Sequence, residues 1–133
     1  MSSFYVRSTV KTWAELPAVA AIAPFYDTIN FEVIPRDDIW FTAEFEPEFD
    51  ELMTVCGDIN EEGLINFIFQ GNPGVGDSDL LIAAETAVDE ILKQADPTGD
   101  LVLGKRYAPE EYSGGTATNV YEVSVSVEYV YRR

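Results

Sequence analysis

The 133-residue chain has no histidine, a single cysteine, and only 8 Lys and Arg against 24 Asp and Glu. Without histidine, the common zinc sites and imidazole acid/base mechanisms are closed to it. The lone Cys56 cannot form an internal disulfide, and it has neither an imidazole partner nor a Lys or Arg within 15 residues in sequence. It reads as a small buried apolar residue and not as a nucleophile. The shortage of bases leaves a formal charge of -16 and a pI of about 4.1. That charge disfavours phosphate-anchored nucleic-acid binding and docking on anionic lipid. No apolar run approaches the roughly 20 residues of a membrane span, and the first 13 residues lack the apolar core of a signal peptide. These absences predict a soluble protein made in a reducing cytoplasm.

What is present suffices for a core. With 47% hydrophobic and 13% aromatic residues, the charge does not imply disorder. The length suits one domain, 1–133, and no repeat or low-complexity linker divides it. Mixed helical spacing of Phe4, Val6, Val10, Trp13 and Leu16, closed by Pro17, predicts a helix over 3–15. A short helical turn is expected at 18–23, then an extended stretch over 26–35 ending in the turn-like Pro35-Arg36-Asp37-Asp38. Ile39, Phe41, Ala43 and Phe45 alternate with Trp40, Thr42, Glu44 and Glu46, which marks a half-buried strand. The apolar run LINFIFQ at 64–70 marks a more central strand. The acidic stretch between them reads as strand ends plus a projecting hairpin arm.

The pattern of Leu80, Leu81, Ala84, Ala87, Val88, Ile91 and Leu92 predicts a helix over 77–94. Asp77 or Ser78 can cap it, and the segment Asp96-Pro97-Thr98-Gly99 ends it. Strands are expected at 101–108 and 119–132, joined by a long loop at 109–118. In the last strand Tyr121, Val123, Val125, Val127, Tyr129 and Tyr131 share one face. The predicted fold class is α+β, a mainly antiparallel sheet packed against one long helix with an N-terminal helix beside it.

Several local patterns invite a chemical reading and fail on detail. The turn Gly71-Asn72-Pro73-Gly74-Val75-Gly76 precedes a helix, as phosphate loops do, but it has no Lys-Ser/Thr pair and no GxGxxG spacing. Asp77 and Asp79 also stand where a phosphate would sit. The acids Glu44, Glu46, Glu48, Asp50 and Glu51 have no calcium-loop spacing and read as a solvated or partner-facing surface. Tyr107, Tyr112, Tyr121, Tyr129 and Tyr131 lack the basic neighbours of a base-stacking platform and read as packing residues. Lys105-Arg106 and Arg132-Arg133 are the local basic pairs. No catalytic residue, cofactor site or metal site is expected.

In order along the chain, a helix, Asn30-Phe31, Pro35, and Trp40 opening a strand lead to Gly57 in a hairpin. Gly63 then precedes LINFIFQ, and Pro73-Gly74-Val75-Gly76 enters a helix with Leu80, Ala84 and Ile91 on its inner face. This succession resembles the tail-terminator, or tail-completion, proteins of long-tailed bacteriophages. The chain departs from that pattern in the density of acids over 44–62.

The resemblance implies a structural protein without turnover. It would form a ring, usually of six subunits, that caps the tail tube, stops polymerisation and presents a docking surface to the head connector. The implied partners are further copies of the chain, the tail-tube protein and the connector, with DNA as transiting cargo and no membrane. The implied location is the virion at the head–tail junction, after assembly in the host cytoplasm. A ring needs a heterologous interface. Its candidates are the edge of the C-terminal strand and the arm, with Phe45, Glu48, Asp50, Glu51, Leu52 and Met53 named on the arm. Asp37, Asp38, Glu46, Asp58, Glu61 and Glu62 are the candidate acids lining a lumen that repels DNA phosphates. Two other readings stay open: an acidic carboxylate-based metal-binding protein or enzyme, and an acidic DNA mimic that occupies a basic groove.

Overall fold

The computed structural model describes residues 4–26, 39–52, 59–71, 77–95, 99–113 and 121–132. Among the described residues, three helices, α1 (Phe4–Ala14), α2 (Pro17–Ala20) and α3 (Asp77–Gln94), accompany five strands. The strands are β1 (Ile39–Leu52), β2 (Ile59–Gly71), β3 (Leu101–Arg106), β4 (Glu110–Ser113) and β5 (Tyr121–Arg132). They form one sheet in the order β1-β2-β5-β3, with β4 also on β5, and every strand pair is antiparallel. The fold is α+β, as the sequence pattern predicts.

Period-two alternation sorts the sheet into two faces. Phe41, Ile65, Phe67, Phe69, Val123, Val125, Val127, Tyr129 and Tyr131 are buried on one of them. In register, Phe67 lies between Ala43 and Val125, and Phe69 between Phe41 and Val123. Over this face α3 buries Leu80, Ala84, Ala87, Val88 and Ile91, while Val6, Val10 and Ala14 of α1 and Val19 of α2 complete the cluster. Phe41 is its aromatic hub, stacked on Phe69 at 4.7 Å between centroids and tilted against Phe25 at 5.2 Å. The opposite face carries a polar ladder. Trp40 Nε1 donates to Gln70 Oε1 at 3.0 Å, Gln70 Nε2 to Glu122 at 3.3 Å, and the Ser126 hydroxyl to Asn66 Oδ1 at 2.6 Å.

The helices start and stop near the expected positions, and α3 matches them. Ladder pairing continues through the acidic residues to Leu52↔Ile59, so the stretch between the two apolar runs supplies strand ends as expected. Two expectations change. The strand expected at 101–108 ends at Arg106, after an irregularity between Leu103 and Arg106, and β4 occupies the start of the stretch expected to be loop. The C-terminal strand is not an edge. β5 pairs with β2 on one side and with β3 and β4 on the other, so its backbone groups are already engaged. The expectations for 27–38, 53–58 (Cys56 included), 72–76 and 114–120 lie outside the described residues.

Candidate functional site

The β1–β2 ladder changes character at Pro47. Its register shifts between Pro47 and Phe49, and proline contributes no N–H to a ladder, so a bulge is the ordinary accommodation. Before the bulge, Phe45 packs against the core and Glu46 is exposed on the other face. Beyond it, Asp50 pairs with Glu61, Glu51 with Asn60 and Leu52 with Ile59 in backbone register. Glu48, the bulged residue, belongs to the same strand. These are the arm residues expected from the sequence, and the fold brings Phe45, Glu48, Asp50, Glu51 and Leu52 together along one strand. Met53 lies outside the described residues.

The expected lumen acids separate. Glu46 is exposed, and Glu62 is partly exposed with one oxygen 3.7 Å from the Arg132 guanidinium. Glu61 turns the other way. Alternation from Ile65 and Phe67 through Gly63 places it on the helix-covered face, where it is fully buried and accepts a hydrogen bond from the Tyr129 hydroxyl. A carboxylate held inside its own subunit is not offered to a lumen, so Glu61 leaves that set. Asp37, Asp38 and Asp58 lie outside the described residues. On the exposed sheet face, Glu44 and Glu46 of β1 share a surface with Glu62, Glu122 and Glu128, which makes this face acidic.

Sequence reading missed the surroundings of α1. A groove of about 540 Å³ runs between this helix and the first half of β1, lined by Arg7, Lys11, Glu15, Phe25, Ala43 and Phe45 among others. Arg7 holds its guanidinium 4.9 Å from the centre of the Phe45 ring, a cation–π contact. On its other flank α1 stacks Tyr5 on Tyr131 at 6.4 Å. The outer side of β1 is bridged at Phe41 by Phe25, with Tyr26 N–H donating to Phe41 O and Phe41 N–H to Pro24 O at 3.0 Å each. Among the described residues, no strand continues that pairing past Phe41. The one available signal for this groove was Arg7 and Lys11 recurring one turn apart on the predicted helix.

Among the described residues, no three His, Cys, Asp or Glu side chains group closely enough to hold a metal ion. No described helix is long and apolar enough to cross a membrane.

No protein-family model matches the chain, and no curated protein matches it. Its fold does match a solved structure. Over 96% of this chain and 95% of the other, it superposes with a TM-score of 0.61 and 13% identity on a chain from a structure described as "Virion of native gene transfer agent (GTA) particle". At that identity the likeness is one of fold.

Proposed function

We propose that the protein is a structural component of a phage-like virion: a ring-forming tail terminator that caps the tail tube, stops its growth and offers a docking surface to the head connector. The observation that carries this reading is the fold shared, nearly end to end in both chains, with a chain of a gene transfer agent virion. The order of sequence features along the chain supports the finer role. In the ring, the exposed acids Glu46 and Glu62 belong to the wall of a passage that lets DNA slide without sticking. Copies of the chain, the tube protein and the connector are its partners, and it performs no catalysis.

The test is the mass of the purified protein in solution, alone and with tail-tube protein, followed by electron microscopy of the mixture. A closed ring, free or seated on tube ends, is the expected result. A chain that stays monomeric and never engages tubes overturns the reading.

A further inference from the structure

Tyr5, Thr9 and Trp13 return at intervals of four along α1, which sets them on one stripe of the helix beside the buried stripe of Val6, Val10 and Ala14. Facing that stripe, β3 starts against the end of β5. Leu101 pairs with Tyr131 in register, and the Arg132 N–H donates to Asp100 O at 3.0 Å. Between the two lies a pocket of about 320 Å³, lined by Tyr5, Thr9, Trp13, Asp100, Leu101 and Tyr131 among others, a size at the lower end of ligand-binding cavities. Three of these side chains are aromatic, and the Tyr5 ring lies within 14° of parallel to that of Tyr131 at 6.4 Å between centroids. The Thr9 hydroxyl is committed to its own helix, donating to Tyr5 O at 2.7 Å. Asp100 is exposed at the rim, and among the described residues no base is paired with its carboxylate.

We infer that this pocket binds an arginine side chain presented by a different protein. Aromatic faces attract a cation through their quadrupoles, and a planar guanidinium also stacks on them. A carboxylate at the rim then accepts from the guanidinium N–H groups, which is a charge-assisted bond. An anionic ligand is disfavoured both by Asp100 and by the net charge of -16. The subunit already uses ring–cation contacts internally, with Arg7 4.9 Å from the centre of the Phe45 ring and Lys105 4.8 Å from that of Tyr107. The other described bases are held by acids of their own subunit: Lys11 by Glu15, Lys93 by Glu90, Arg106 by Asp89 and Arg132 by Glu62. With the described bases engaged at home, the guanidinium comes from another chain, and an acidic subunit selects partners that offer bases. The site belongs to the single subunit and does not depend on the proposed ring.

Titration of the full chain with a capped glycine–arginine–glycine peptide, followed in a proton–nitrogen correlation spectrum, tests the site. The chain has two tryptophans. Trp13 lines the pocket, whereas Trp40 is 1% exposed and bonded to Gln70, so its indole N–H is an internal reference. The Trp13 indole signal should move saturably, with millimolar affinity, while that of Trp40 stays in place. The same peptide with citrulline, the neutral isostere of arginine, should bind about 10-fold more weakly. Tyr5→Ala and Asp100→Asn should each weaken the arginine peptide about 3- to 10-fold, and Tyr5→Phe, which keeps the ring, should bind like the wild type. Both side chains are exposed, so the thermal melts of these variants should match the wild type and separate lost binding from lost folding. No saturable movement of Trp13, equal affinity for the arginine and citrulline peptides, or wild-type affinity in both Tyr5→Ala and Asp100→Asn overturns the inference. None of these results bears on the ring, which is read from mass.

Discussion

Tyr129 donates its phenolic hydrogen to Glu61 across the inner face of the sheet, joining two residues 68 positions apart inside the layer where the helices pack. Burying a carboxyl is costly unless its oxygens are bonded, so this contact secures the junction of β2 and β5 just where the arm begins. Tyr129→Phe keeps the ring and removes the donor. The expected loss is about 1–3 kcal/mol, read as a lower urea midpoint with an unchanged slope.

Phe41 touches three other aromatic rings and is fully buried. Phe41→Ala should therefore cost about 3–5 kcal/mol through lost burial and a residual cavity, while Phe41→Leu should cost clearly less. Thermal melting of the two variants beside the wild type checks the order.

Arg106 and Asp89 link β3 to α3 at 2.8 Å, but both are partly exposed. Asp89→Asn should change stability by less than about 1 kcal/mol. A large drop in melting temperature would mean that this ion pair anchors the helix to the sheet more firmly than its exposure allows.

Glu46 and Glu62 are placed in the DNA passage by the proposed function. Reversing both to lysine should leave the ring mass unchanged and make assembled rings retain duplex DNA at low salt, with release as salt rises. Fluorescence anisotropy of a labelled duplex measures this. Rings of the variant that ignore DNA as the wild type does would remove these two acids from the lumen.

Much of this fold is written in local periodicity. Leu80, Ala84, Ala87, Val88 and Ile91 return at helical intervals, and Val123 to Tyr131 alternate without a break, so α3 and β5 follow from spacing alone. Pairing is not local. Nothing within 121–132 states that β3 and β4 close its second side, and treating this strand as an edge was the natural error. The inward turn of Glu61 is also hidden, because alternation points to it while its chemistry argues against it. Tyr129, near the other end of the chain, supplies the donor that makes the inward turn tolerable. Of the candidate site, the acids were legible as composition. The groove was not, since Arg7 and Lys11 gain meaning only when Phe25 and Phe45 are brought beside them.

The central position of β5 also sets a timetable for biosynthesis. Residues 59–71 and 101–113 meet only through residues 121–132, which pair with both. While the ribosome has yet to release that last segment, β2 has β1 on one side and nothing on the other, and the helices have half a surface to cover. A nascent chain in this condition has no finished subunit to contribute, and non-local pairing of this kind is slow to form. Completion of the subunit's sheet is thereby held back until residues 121–132 are free to pair, a consequence of strand order alone.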